Sequence, residues 1–279
     1  MKKIVWKCAL FLIGFICCYP IVFVCVGSFM GKGELLESLA PALSSASGYA
    51  DWSILPKEPT LRSWVEVLLD TPGFFVTFWN SIKIVVGVLI GQLLVAVPGA
   101  WGFAKYKFPF HRVLFLLYVI LMMMPFQVLM LSEYLVLNKI NLLNTLWALI
   151  LPGIFSTFPV FILYNSFRGI PNEILEAGRI DGASEWQLFL EIGLPLGKSG
   201  IFSVIVLSFL EYWNLVEQPM TFLKDKGRWP MSIFLPSIEP ENAGIAFVAS
   251  VISLIPALLV FLGGQEYLEK GISYMGMKE

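Results

Sequence analysis

The sequence predicts an all-α integral membrane protein with six transmembrane helices and a polar helix-turn-helix between the fourth and the fifth. Three observations carry this prediction. Hydrophobic residues make up 57% of the 279 residues, charged residues only 14%, and the mean hydropathy is +0.78, far above the range of a water-soluble domain. Apolar runs of the roughly 20 residues that cross about 30 Å of hydrocarbon occur six times. A polar stretch, residues 176–195, separates two of these runs.

Charge and composition exclude several other classes of protein. The formal net charge is −1 and His111 is the only histidine, so there is no basic field for nucleic acid and no histidine-rich metal site. The four cysteines all fall in the first apolar run, where we expect them to pack as small apolar residues; they are Cys8, Cys17, Cys18 and Cys25.

The first predicted span is residues 8–30, which follow three lysines near the N-terminus. A cleaved signal peptide is the competing interpretation. Its apolar core usually has about 7 to 15 residues and ends at a small-residue cleavage site. This run is longer and lacks a clear site, so we expect an uncleaved anchor.

The remaining spans follow from the same length criterion, and the chain is expected to form a single transmembrane domain over residues 1–279. The predicted spans are 75–103, 113–137, 145–167, 200–216 and 243–263. Gly87 and Gly91 in the second span have the spacing that allows close approach of a neighbouring helix.

The distribution of Lys and Arg predicts the orientation, because short cytoplasmic loops retain these residues. With the N-terminus inside, eleven Lys and Arg residues fall in inside segments, namely Lys2, Lys3, Lys7, Lys105, Lys107, Arg112, Arg168, Arg179, Lys198, Lys270 and Lys278. Fewer are spread over the longer outer loops. Both termini and residues 171–196 are therefore expected in the cytoplasm, and residues 31–73 form an extracytoplasmic loop.

The polar stretch itself predicts two short helices joined by a tight turn. Pro171 suits a first helical turn, and Ile174, Leu175, Gly178 and Ile180 fall near one face of the following helix; Gly182 interrupts it. Ser184 and Gln187 then have the spacing of a capping box, and Pro195 is expected to end the second helix. An amphipathic surface linker is the plain alternative.

A family resemblance favours a more specific interpretation. Glu176, Ala177 and Gly178, then Gly182 after three residues, then Ile192, Leu194 and Pro195 resemble the EAA signature of ABC importer permeases. The departure is Gly178, where that family usually has alanine. The IDGAS sequence at 180–184 is similar to the carbohydrate branch. Weaker similarities to the smaller permease of maltose-type importers lie at Asn80, Ser81, Phe108, Pro109, Gly271 and Ile272.

The resemblance implies a type I ABC importer fold and a division of labour. The chain would pair with a homologous second permease in a prokaryotic cell membrane, inner or plasma, and would receive sugar from an extracytoplasmic solute-binding protein. Two cytoplasmic ATPase subunits would bind ATP and Mg, so this chain would need no cofactor and would catalyse no reaction. The ATPase-docking residues implied are Glu176, Ala177, Gly178, Asp181, Gly182 and Ala183.

Polar residues within apolar spans are costly and so mark a candidate substrate pathway. The strongest group is at the end of the fifth span, where hydrogen-bonding groups and aromatic faces suit sugar hydroxyls and C–H surfaces; with two further candidates it comprises Glu211, Tyr212, Trp213, Asn214, Gln127 and Asn80. Each could instead tie helices together.

Two other functions stay open on the residues alone. The cargo could be glycerol phosphate, a polyol or another small solute. An ion-coupled carrier or a membrane scaffold is the other alternative, but a carrier should show paired acidic groups and repeat symmetry, and a scaffold would not need the spaced motif.

Overall fold

A computed structural model describes residues 2–43, 55–235 and 242–276. Every regular element in these ranges is helical, which confirms the all-α prediction. The α-helices are α1 Lys2–Gly27, α2 Lys32–Leu43, α3 Arg62–Val65, α4 Pro72–Lys105, α5 His111–Met123, α6 Phe126–Lys139, α7 Trp147–Ile154, α8 Thr157–Arg168, α9 Asn172–Ile180, α10 Glu185–Gln187, α11 Leu194–Trp213, α12 Glu217–Phe222, α13 Met231–Phe234 and α14 Ala243–Gly276. Short π-helical turns, Glu66–Asp70 and Leu188–Gly193, and a 3₁₀ turn, Lys226–Arg228, complete the list.

Within the described ranges, five helical segments are long and apolar enough to cross a membrane, and a bent pair counts as a sixth if it is one span. The five are Leu10–Gly27, Pro72–Lys105, Trp147–Arg168, Glu185–Trp213 and Ala243–Glu269. Their outward surfaces carry many large apolar side chains, for example Phe11, Leu94 and Leu259. Such surfaces suit a lipid environment, where apolar side chains need no protein cover. The chain is a multi-pass membrane protein.

The third predicted span is wrong as one continuous helix. Helices α5 and α6 meet at an angle of 103°, and Met124 between them is extended, with ψ 124°. The cause is Pro125, because a proline excludes the residue before it from helical backbone angles. Residues 113–137 therefore form a broken span.

The fourth span is also interrupted, between α7 and α8 at Phe155 and Ser156. The side-chain amide of Gln92 in α4 donates to the carbonyl oxygen of Gly153 at 2.8 Å, which satisfies a carbonyl near the break. The close approach expected at Gly87 is confirmed, because a Cβ atom there would lie 3.1 Å from Ile150 Cδ1.

The fifth span is longer than predicted. Pro195 does not end the second short helix, because Glu185–Trp213 is one continuous helical segment, and it stops at Trp213 rather than at residue 216. The π-helical turn Leu188–Gly193 directly precedes Pro195. The regular hydrogen-bond ladder already shifts there, so the missing proline N–H costs less than in an ordinary helix interior.

The chain divides into two compact units, Met1–Phe78 with Ile233–Pro256 and Trp79–Ser232 with Ala257–Glu279. In the first unit α2, α3 and a π-helical turn occupy part of the predicted loop 31–73, while residues 44–54 of that loop lie outside the described ranges. The core of the second unit joins α4 and α8 to the turn after α10: the Trp101 ring lies 5.4 Å from that of Phe167 and 5.7 Å from that of Phe189.

Candidate functional site

The segment from α9 to α10 is a helix-turn-helix closed by a Schellman motif. Gly182 has φ +87°, a left-handed conformation that side chains with a Cβ rarely adopt. Its N–H donates to the Arg179 carbonyl at 3.1 Å, and the Ala183 N–H donates to that of Gly178 at 3.0 Å. These are the two bonds that define the motif, so the turn is fixed by the backbone.

The second helix begins with the capping box that the sequence predicted. The Gln187 backbone N–H donates to Ser184 Oγ at 3.3 Å, and the Ser184 N–H donates to Gln187 Oε1 at 2.8 Å. Both ends of the turn are thus satisfied by residues within it.

The apolar face predicted for α9 is only half right. Leu175 is buried, and Gly178 faces the second helix, where a Cβ would lie 2.6 Å from Leu188 Cδ2. Ile174 and Ile180 are exposed instead, Ile180 by 87%, because a nine-residue helix can bury only a narrow stripe of its surface.

The predicted docking residues also include both exposed and half-buried positions. Glu176, Ala177, Asp181 and Gly182 are exposed, whereas Gly178 and Ala183 are half-buried. Trp186, which the sequence did not single out, is 69% exposed beside them. The outer surface thus combines two acids, an aromatic ring and the low profile of the turn.

Polar contacts, which we call the brace, hold this segment to the end of α4. Lys105 Nζ donates to the Ile170 carbonyl at 2.5 Å and to Asn172 Oδ1 at 3.3 Å. Tyr106 donates its phenol proton to Glu185 Oε2 at 2.6 Å, and Arg179 Nε donates to Glu185 Oε1 at 2.8 Å. Sequence reasoning missed the contacts of Lys105 and Tyr106, since their partners lie 65 or more positions away along the chain.

The electrostatics around Glu185 favour the protonated forms of the two donors whose hydrogen bonds it accepts, Tyr106 and Arg179. Partial burial, together with the hydrogen bond to Glu185, raises the pKa of Tyr106, and the hydrogen bond to Glu185 raises the pKa of Arg179. Both groups therefore remain donors at neutral pH.

The second unit also contains a cavity of about 350 Å³ within the predicted substrate region. Two of the predicted pathway residues, Glu211 and Tyr212, line it together with Glu133, Ser156 and Gln218. Glu133 is a polar residue within the predicted span 113–137, whereas nothing in the sequence pattern indicated Gln218.

The other four predicted pathway residues do not line this cavity. Trp213 is buried, with its ring 5.5 Å from that of Phe209, and Asn214 donates to the Leu210 carbonyl within its own helix. Gln127 donates to the Glu217 carboxylate.

Asn80 is buried and serves as a tie between distant parts of the chain. Its side-chain amide donates to the carbonyl oxygens of Gly227 and Trp229, at 2.9 and 3.2 Å. Within the described ranges, no group of three or more His, Cys, Asp or Glu side chains could hold a metal ion.

Comparison with known proteins agrees with this architecture. The sequence profile of the binding-protein-dependent transport system inner membrane component family matches residues 84–274. An arabinooligosaccharides transport system permease protein of Halalkalibacterium halodurans is 28% identical over 269 residues, which cover 95% of this chain and 93% of that protein. A diacetylchitobiose uptake system permease protein of Streptomyces coelicolor is 28% identical over 264 residues, 91% of this chain and 82% of that protein.

A solved structure shares the fold. The crystal structure of a bacterial ABC transporter involved in the import of the acidic polysaccharide alginate contains a chain that superposes with a TM-score of 0.80 at 21% identity, and the match covers 95% of this chain and 96% of that one. Fold, profile and full-length relatives agree with the resemblance seen in the EAA-like segment. The chain belongs to the family of binding-protein-dependent transport system inner membrane components, in which it is a permease subunit of an ABC importer.

Proposed function

We propose that the chain forms half of the translocation pathway of an ATP-driven carbohydrate importer. The observation that carries this proposal is the near full-length similarity to permeases named for arabinooligosaccharide and diacetylchitobiose transport. The cavity supports it, because Glu133, Glu211 and Gln218 offer acceptors for hydroxyl groups beside aromatic side chains.

The helix-turn-helix is the coupling segment of this importer. It presents Glu176, Ala177, Asp181 and Gly182 at its surface, with Gly178 and Ala183 setting the close packing behind them. An ATPase subunit that holds ATP and Mg would seat on this surface. The brace and the Trp101 core then pass its movement to α4 as a rigid-body displacement.

The orientation follows from the distribution of Lys and Arg. Both termini and residues 171–196 face the cytoplasm, and residues 31–73 face the exterior of a prokaryotic cell membrane. A homologous permease completes the pathway, an extracytoplasmic solute-binding protein delivers the cargo, and lipid covers the remaining apolar surface. The whole chain acts as one permease domain.

The test is uptake by the complete complex reconstituted in vesicles with its ATPases and binding protein. We expect ATP-dependent accumulation of a labelled neutral oligosaccharide, and none when the ATPase is inactivated. Glycerol 3-phosphate and a polyol serve as comparison cargos. Accumulation of those solutes alone, or accumulation without ATP, would contradict the proposal.

A further inference from the structure

The cavity in the second unit is built at two helix breaks. Met124 lies at the break between α5 and α6, and Phe155 and Ser156 lie at the break between α7 and α8; all three line the same space. Irregular backbone at membrane depth is tolerated where it is buried in protein or lines a cavity. Two breaks that open onto one cavity therefore mark a place where the fold makes room for a solute.

The polar groups of this cavity are mainly hydrogen-bond acceptors. Glu133 Oε2 and Gln218 Oε1 are both shielded from solvent and have no hydrogen-bond partner in the described part of the chain. Glu211 adds a second carboxylate, and the described residues that line the cavity include no Lys, Arg or His. A buried acceptor without a partner costs free energy, so these oxygens favour a ligand that is rich in donors.

The rest of the wall combines the hydroxyl groups of Ser156, Thr157 and Tyr212 with apolar and aromatic side chains. Phe126, Phe155, Phe158 and Leu121 line it, and such side chains pack against the C–H faces of a sugar ring. A volume of about 350 Å³ lies within the range of about 300–1,000 Å³ for small-molecule sites. A pyranose ring carries hydroxyl donors around its edge and C–H groups on its faces. The acceptors of the cavity match the first feature, and its aromatic side chains match the second.

We propose that this cavity is a cargo subsite for an uncharged or amino-bearing sugar unit, and that Glu133 and Glu211 make it reject sugars that carry carboxylate or phosphate. This inference rests on the proposed carbohydrate transport. The rejection follows from charge, since an anion in the cavity would face two carboxylates with no cation in its lining to offset them.

Protection of a cavity cysteine tests the subsite directly. The Thr157→Cys variant places a thiol on the cavity wall, and the permease–ATPase complex in nanodiscs, without binding protein, is alkylated by a maleimide in the presence of one of three disaccharides. Chitobiose is cationic, N,N′-diacetylchitobiose is neutral and digalacturonate is anionic. We expect the first two to slow alkylation at concentrations at least about tenfold lower than digalacturonate.

Substitution of the two carboxylates then tests the cause. Adding Glu133→Gln and Glu211→Gln should bring digalacturonate to within about threefold of the neutral disaccharide. The matched control is Glu37→Gln, which changes an exposed carboxylate in α2 and should keep the difference. Equal protection by all three disaccharides before substitution, or an unchanged difference after it, would overturn the inference.

Three further outcomes are each decisive, and the last two separate this inference from the proposed function. If the doubly substituted complex does not assemble, the comparison of the three disaccharides on the Thr157→Cys complex decides whether the inference holds. If the complete transporter accumulates N,N′-diacetylchitobiose but no disaccharide protects the cysteine, the subsite is wrong while carbohydrate import stands. If no carbohydrate is accumulated at all, the proposed function itself fails.

Discussion

The coupling segment and the cavity differ in how completely their polar groups are satisfied. In the coupling segment, the Schellman turn, the capping box and the brace give backbone and side-chain groups partners within the chain. In the cavity, Glu133 and Gln218 keep buried oxygens without partners in the described residues. The first arrangement suits a rigid part that transmits force, and the second suits a place that receives a solute.

The largest effect is expected from Gly182, on which the rigidity of the turn depends. Gly182→Val forces a β-branched residue to φ +87°, at a cost of at least about 1–2 kcal/mol. We expect the ATPase to dissociate and uptake to fall by at least about tenfold, while membrane insertion is unchanged. Co-purification and vesicle uptake measure this.

The control for the turn is Gly182→Asn, because asparagine tolerates the left-handed region better than other residues with a Cβ. It should retain most of the ATPase association. Equal loss in both variants would show that the surface at residue 182, rather than its backbone conformation, is what matters.

The next largest effect is expected from Asn80, which holds two carbonyl groups but does not line the cavity. Asn80→Leu leaves those carbonyls without its amide and should lower the stability of the complex by about 1–3 kcal/mol, measured by thermal unfolding. The discrimination between neutral and anionic sugars should not change. A changed discrimination would place Asn80 in the pathway after all.

A smaller effect is expected from the brace. Tyr106→Phe removes the 2.6 Å hydrogen bond to Glu185, which is worth about 1 kcal/mol. We expect transport per ATP hydrolysed to fall about twofold to fivefold, with the ATPase still bound. A double-mutant cycle with Glu185→Gln should show coupling between the two positions; additive effects would mean that the contact does not transmit movement.

The smallest effect is expected from Gly178→Ala, the residue usual in the family resemblance. A Cβ would meet the ends of two flexible side chains, Leu188 Cδ2 at 2.6 Å and Ile192 Cδ1 at 3.3 Å, and alanine favours the helix by about 1 kcal/mol. Stability should change by less than about 1 kcal/mol and uptake should be retained. Loss of uptake would mean that the packing of α9 on the second helix cannot accommodate one added methyl group.

Local signals were readable from the sequence, and tertiary ones were not. The capping box at Ser184 and the turn at Gly182 depend on residues a few positions apart, so spacing alone predicted them. The break at Pro125 could be predicted in principle, but a proline inside an apolar run does not by itself predict the angle between the two helices. The brace contacts of Lys105 and Tyr106 join residues 65 or more positions apart. The cavity draws its lining from Leu121 to Gln218, so short-range spacing carries no information about either.

The lack of tertiary information in the sequence also explains why only two of the six candidate pathway residues line the cavity. Glu211 and Tyr212 lie next to one another in the chain and share the cavity, whereas the adjacent Trp213 turns toward Phe209 because successive helical residues point about 100° apart. Composition identified the polar groups at the end of the fifth span but could not assign them to one face of the helix.

The central claim is that the coupling segment receives movement from a cytoplasmic ATPase, and site-directed cross-linking of the assembled complex tests it most directly. A cysteine introduced by Ala177→Cys, on the exposed face of α9, should form a bis-maleimide product with the ATPase. Trp147→Cys, an exposed position at the start of α7, should form none. A product from the Trp147 variant alone, or modification of the Ala177 variant by an impermeant reagent from outside the cell, would contradict the account.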